Sequence, residues 1–176
     1  MNYPLIIDSC ILICLKNNGY SFDSDVDMEF WNYLCLLAQQ NYVKVPESVI
    51  QELEAGNDDL GKWIKKNKDI LKLDTAPLFY NGDYVKVIEA YNKQIPGGLS
   101  ETDVDWIGER ADPYLIGHAL HENGTVVTAE MKKGQATTIQ NVKIPTICAS
   151  LNIPYIPLAK FIWHIAQKKL LDVESQ

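Results

Sequence analysis

The chain has 176 residues, of which 47% are apolar and 22% charged, and its formal net charge is −7. That composition excludes a disordered or fibrous chain, and the acidic balance excludes a protein held on nucleic acid by bulk charge alone. The longest apolar runs, such as Ile11 to Leu15 and Leu34 to Ala38, fall far short of the ~18 residues needed to cross a bilayer.

The N-terminus shows no basic region and no small-residue cleavage site, so no signal peptide is expected. The length corresponds to one domain over residues 1–176, large enough to bury a core without staples. Cys10, Cys14, Cys35 and Cys148 lie in apolar runs and read as small core residues of a cytoplasmic protein. Cys10 and Cys14 have no Cys-x-x-Cys partner or nearby His, which argues against zinc.

Strand and helix signals alternate along the chain, predicting an α/β fold with a mainly parallel sheet. Tyr3 to Ile7 reads as a buried first strand, and Asp8 or Ser9 as the cap of a helix to about Leu15. Residues 24–40 repeat apolar positions at Met28, Trp31, Leu34, Cys35 and Ala38, a helical period. A second strand follows at Tyr42 to Val45. Pro46 then suits the first turn of a helix that Gly56 ends.

A polar helix over Asp58 to Lys68 and a minor strand over Ile70 to Leu73 come next. Residues 84–93 read as helix, 95–99 as loop, and Ser100 with Asp103 as a partial capping box opening another helix. Asp112 suits an N-cap, with Pro113 at the first helical position, for a helix that Asn123-Gly124 ends. Thr125 to Thr128 is a β-branched strand, and Lys132 to Asn141 a polar loop. A short helix over Pro145 to Leu151, a short strand at Tyr155-Ile156 and an amphipathic helix over Pro157 to Leu171 complete the chain. That last helix is expected to pack internally.

Most of the acids suit loops and polar faces, but four stand in other places. Asp8 directly follows the first strand, Glu52 lies on the helix after the second, Asp112 opens a helix, and Glu130 follows the strand at 125–128. In an open parallel sheet, ligands bind beyond the carboxyl ends of the strands. This order converges four acids from distant segments on one edge. Repulsion within such a cluster is relieved by a retained proton or a cation. Oxygen donors without Cys or His suit Mg²⁺ or Mn²⁺, which activate water and polarise phosphodiesters. Ser9 and Thr128 would orient water or the carboxylates.

Each acid also has a plainer reading: Asp8 and Asp112 as helix caps, Glu52 as an exposed helical acid, Glu130 as a turn residue. His118 and His121 read as core or surface residues, and Trp31, Trp63, Trp106 and Trp163 as core packing rather than base-stacking groups.

The arrangement resembles the PIN-domain family of metal-dependent nucleases over about residues 3–157. Ile6-Ile7-Asp8-Ser9-Cys10 is similar to that family's opening strand with its acid and hydroxyl residue. The run Val45-Pro46-Glu47-Ser48-Val49-Ile50-Gln51-Glu52-Leu53 is similar to its second motif. Ala111 to Ala119 and Val126-Val127-Thr128-Ala129-Glu130 are similar to the third and fourth, and Asn152 to Ile156 to its last strand. Glu130 departs from the Asp more usual there. The segment between Gly56 and Ser100 is longer than in minimal members.

The resemblance implies a Rossmann-like three-layer α/β/α fold. It also implies Mg²⁺- or Mn²⁺-dependent RNA cleavage leaving 3′-hydroxyl and 5′-phosphate ends, with Asp8, Glu52, Asp112 and Glu130 around the metal. Compact relatives are often toxins of toxin–antitoxin pairs and often dimerise, so an antitoxin protein and a homodimer are implied partners. Arg110, Lys132 and Lys133 are candidate phosphate contacts, with a solvated charge as the plainer reading of each.

Two other functions remain open. One is a PIN-like binding module without catalysis, favoured by Glu130. The other is a phosphatase-like Mg²⁺ enzyme, disfavoured because Cys10 stands where a second acid is expected. No Gly-x-Gly-x-x-Gly follows the first strand, which speaks against dinucleotide binding.

Overall fold

A computed structural model describes residues 3–131 and 136–174. Strands β1 (Leu5–Ile7), β2 (Val43–Pro46), β3 (Lys72–Leu73), β4 (Thr125–Val127) and β5 (Tyr155–Ile156) form one five-stranded sheet ordered β3-β2-β1-β4-β5. Every pairing is parallel, with Leu5 opposite both Val43 and Thr125, and Val126 opposite Tyr155. The α/β expectation therefore holds, and the strand order is that of a doubly wound sheet.

Side chains alternate across each strand, and those of the central strands β1 and β4 are buried on both faces, which is why these two read as continuous apolar runs. Leu5, Ile7, Val43, Val45 and Val127 face one core. It is closed by α1 (Ser9–Asn17), α2 (Asp25–Gln39), α3 (Glu47–Glu54), α4 (Asp59–Leu71) and α10 (Leu158–Glu174). Ile6 and Val126 face the other. There α6 (Asp83–Gln94), α7 (Glu101–Gly108), α8 (Asp112–His121) and α9 (Ile144–Ser150) supply Val87, Ile107, Ile116 and Ile147.

Three helices turn into strands by one device. Asn41, Asn123 and Asn152 take φ of 58°, 51° and 57°, the left-handed conformation that asparagine tolerates better than most residues. In each case the next N–H reaches back to close the helix: Tyr42 to Leu37 O, Gly124 to Ala119 O and Ile153 to Cys148 O. These turns deliver the chain into β2, β4 and the approach to β5.

Two helix starts are capped by side chains, and the second is the one expected from the sequence. The Asp58 carboxylate accepts from the Gly61 N–H, and Ser100 and Asp103 complete a reciprocal capping box. Differences from the sequence reading are local. Ile70 and Leu71 extend α4, leaving only Lys72–Leu73 as strand. A short helix, α5 (Ala76–Tyr80), was not anticipated, although Pro77 in its first turn is a usual helix-start residue.

Trp31 and Trp63 are core residues, as expected. Trp163 is not: it lies 57% exposed on α10, while Phe161 and Ile165 of the same helix face the core. Among the described residues, no helix is long and apolar enough to cross a membrane.

Candidate active site

The middle strand β1 pairs with β2 on one side and β4 on the other, so the chain reverses direction across the sheet there. The crevice at the carboxyl ends of β1 and β4 is the usual ligand position in such sheets. A cavity of about 330 Å³ opens at this point, lined by Asp8, Ser9, Cys10, Glu52, Trp106, Arg110, Asp112, Glu130 and Ile144. The four acids singled out from the sequence thus share one cavity.

Asp8 follows β1 and is buried. It stands at the N-cap position of α1, but its side chain makes no capping hydrogen bond. Its carboxylate is held from the other direction. Thr128 Oγ1 and Cys10 Sγ each donate to Oδ2 at 2.8 Å, and Ser9 Oγ lies 3.4 Å from Oδ1. Thr128 is itself fixed, because its hydroxyl accepts from the Glu130 N–H at 3.1 Å. The segment after β4 therefore positions the acid after β1.

Cys10 packs against the core, as expected of it, but it also lines the cavity. Its thiol points at Asp8 and accepts from the Ala129 N–H at 3.3 Å. Burial, then the Asp8 charge, push its pKa up to about 12, so it remains a thiol donor. Nothing in composition marked it, since a cysteine in an apolar run looks the same whichever way it faces.

Asp112 differs from the cap expected for it. The residue before it, Ala111, holds the N-cap position, Asp112 is the first residue of α8, and no side chain caps that end. Its half-buried carboxyl is pushed up to about 7, first by burial and then by the charges of Asp8, Glu130 and Glu52, with Lys143 opposing. Glu52 reaches the cavity from α3 and remains exposed.

Glu130 lines the cavity, yet its oxygens are already engaged. Lys143 Nζ donates to Oε1 at 2.8 Å, and the N–H of Ile144, the first residue of α9, donates to Oε2 at 2.9 Å. An acid bound at a helix start is electrostatically favoured there. Lys143 was missed in the sequence, because only the fold brings it back to Glu130.

Arg110 stacks over the Trp106 ring, with its guanidinium carbon 4.5 Å from the centroid. Trp106, expected in the core, lines the cavity as well as packing on the core. Lys132 and Lys133 lie outside the described residues.

His118 and His121 stand at the far end of α8 from Asp112. His118 is buried, and burial followed by the His121 charge lowers its pKa to about 4, leaving it neutral. His121 Nδ1 pairs with the Asp83 carboxylate at 2.9 Å. Neither belongs to the carboxylate cavity.

Among the described residues, no three His, Cys, Asp or Glu side chains stand close enough together to hold a metal ion at once. The donor set nonetheless fits a hard cation. The candidate ligands are oxygens, Asp112 has a carboxyl raised by burial and then by like charge, and Mg²⁺ commonly takes one or two carboxylates and keeps its waters.

The family described as "Domain of unknown function (DUF4411)" matches residues 5–168. The chain belongs to the DUF4411 family. No curated protein matches it. One similar solved structure is VapBC2 from Rickettsia felis bound to a DNA fragment from their promoter. It is 18% identical, covering 87% of this DUF4411 chain and 97% of that one, with a TM-score of 0.40. So distant a likeness carries no argument about what this family member does.

Proposed function

We propose that this DUF4411 protein is a Mg²⁺- or Mn²⁺-dependent endoribonuclease of the PIN-like kind. The observation that supports it is the meeting of Asp8, Glu52, Asp112 and Glu130 in one cavity at the sheet's reversal point, with the Asp112 carboxyl raised by burial and by its acidic neighbours.

Asp8 and Asp112 would hold the cation, Glu52 would join them by turning its exposed side chain inward, and Glu130 would contribute its charge from its place beside Lys143. Bound there, a divalent ion supplies an acidified water and a polarised phosphodiester. The chain's own residues prepare that chemistry. Thr128 and Cys10 fix the face that Asp8 presents, Ser9 stands beside its other oxygen, and Lys143 keeps Glu130 from adding a mobile fourth charge. Arg110, braced on Trp106, offers positive charge to the RNA backbone at the mouth of an otherwise acidic site.

Purified protein is expected to cleave RNA in Mn²⁺ or Mg²⁺ and to stop doing so in chelator. Asp8→Asn is expected to abolish cleavage while the fold, read by circular dichroism, is retained. Full activity in that variant would remove the assignment. The toxin role, with a cognate antitoxin that covers this cavity, a homodimeric state and a cytoplasmic location, extends the same proposal. Growth arrest on expression of wild type but not Asp8→Asn tests that extension.

A second reading is a binding module without catalysis. It is favoured by Glu130, whose two oxygens are taken by Lys143 and the Ile144 N–H. Saturable RNA binding with no cleavage at any Mn²⁺ concentration would select it.

A further inference from the structure

Beside the carboxylate cavity lies a second, of about 320 Å³, which shares Glu52 and Arg110 with it. Besides Glu109, the side chains that distinguish its lining are the aromatic residues Phe79 and Tyr114 and the polar residues Ser48, Gln51 and Thr75.

The aromatic side is braced. Tyr84 stacks on Tyr114 with centroids 5.1 Å apart, Phe79 lies 5.0 Å from Tyr84, and Tyr114 Oη donates to the Gly108 carbonyl at 3.0 Å. Phe79 nevertheless remains 55% exposed. It sits on α5, the short helix in the segment between Gly56 and Ser100 that is longer than in minimal PIN-like proteins. On the polar side, Ser48 Oγ is shielded from solvent and has no hydrogen-bond partner among the described residues. A buried hydroxyl without a partner is costly, and a turn of the Ser48 side chain toward the cavity would let a ligand's hydrogen bond recover that cost.

These features select one ligand chemistry. A free anion is disfavoured, because Glu52 and Glu109 line the cavity. A purely apolar group would leave the Ser48 hydroxyl, the Gln51 amide and Thr75 unused. A flat, neutral heterocycle with hydrogen-bonding edges uses both sides. The volume lies at the lower end of the range for small-molecule sites, which suits one base rather than several. Arg110 lines both cavities and is placed to hold the phosphate that joins them.

We propose that this second cavity receives a single unpaired nucleobase of the RNA, that of the nucleotide flanking the scissile phosphate. This rests on the ribonuclease reading and adds to it a single-strand requirement. Bases of single-stranded RNA are commonly recognised by stacking on aromatic side chains and by hydrogen bonds to their edges. A base inside a duplex has its faces stacked and its Watson–Crick edge paired, so it cannot enter such a site.

The test is equilibrium binding of a short single-stranded RNA carrying 2-aminopurine, measured in chelator so that the strand stays intact. Wild type is expected to quench the fluorophore and bind. Phe79→Ala is expected to abolish the quench and weaken binding roughly 5- to 100-fold, the range of one base–aromatic stack. Phe79→Leu, which keeps apolar bulk without a π face, is expected to behave like Phe79→Ala and guards against a folding defect. A fully paired duplex is expected to bind wild type and Phe79→Ala equally.

Equal affinity and equal quenching in wild type and both variants would overturn the base site, as would no binding by wild type. Separately, RNA cleavage in Mn²⁺ judges the ribonuclease reading. Cleavage with no dependence on Phe79 removes the base site alone. Phe79-dependent binding without any cleavage removes the nuclease and leaves the base site.

Discussion

Asp112→Asn should make the metal-free protein more stable and at the same time remove its function. The replacement keeps the side chain's shape but cannot ionise. In the folded chain the Asp112 carboxyl titrates near 7 rather than at the 3.8 of an ordinary aspartate, through burial and the charges of Asp8, Glu130 and Glu52. Folded Asp112 therefore holds a proton that the unfolded chain has already released. On this account stability falls as pH rises from about 4 and levels off above about 7.

At 1.36 kcal/mol per pH unit the full cost is about 4 kcal/mol, which relaxation and counter-ions reduce to roughly 2–4 kcal/mol. Asn escapes that cost. For a domain of this size, 1 kcal/mol corresponds to about 2–4 °C in Tm, so the variant should melt several degrees higher at about pH 8. The gain should shrink steadily toward about pH 4. Thermal melts in chelator across that range, paired with Mn²⁺ titrations, provide the assay. Mn²⁺ should raise the Tm of wild type and not that of the variant. An Asn variant less stable than wild type at about pH 8 would show that Asp112 is not under like-charge strain, and the reasoning would fail.

Other consequences concern the groups around Asp8 and Glu130. Cys10→Ala removes a donor to Asp8 and should weaken Mn²⁺ binding by up to ~10- to 100-fold, the usual effect of losing a partner that orients a ligand, while Cys10→Ser should largely restore it. Equal affinity in all three proteins would show that the thiol does not position Asp8. Because burial and Asp8 hold this thiol at about 12, alkylation of native protein should be slow near neutral pH. Lys143→Met removes the counter-charge to Glu130. It should lower the Tm in chelator and strengthen Mn²⁺ binding, because the freed carboxylate and the more negative field both favour a cation. Weaker Mn²⁺ binding in that variant would mean that Lys143 prepares Glu130 for the metal rather than restraining it.

Much of the scaffold was legible because its signals are local. Continuous apolar runs marked β1 and β4 for burial on both sides, and Ser100 with Asp103 formed the capping box that their spacing announced. Position after a strand was enough to put Asp8 and Glu130 at one edge. What stayed hidden depends on contacts between remote segments. Whether Cys10 faced core or cavity turns on the rotation of α1, which Thr128 and Ala129 fix from β4's end. The pairing of Glu130 with Lys143 needs the chain to fold back to the start of α9. Asp112 misled because Asp-Pro is a good cap-and-first-turn pair, yet the helix starts one residue earlier than the pair implies. Trp163 misled in the opposite sense: its spacing is helical, but the helix presents it to the outside.

The central claim is that carboxylates from four segments converge to hold a hard divalent cation. A crystal soaked in Mn²⁺ and measured for anomalous scattering tests it most directly. The account predicts a peak within coordination distance of Asp8 and Asp112, with Glu52 turned toward it, and no peak in an Asp8→Asn crystal treated the same way. A saturated crystal with no Mn²⁺ in this cavity, or with the ion bound only elsewhere, would contradict it.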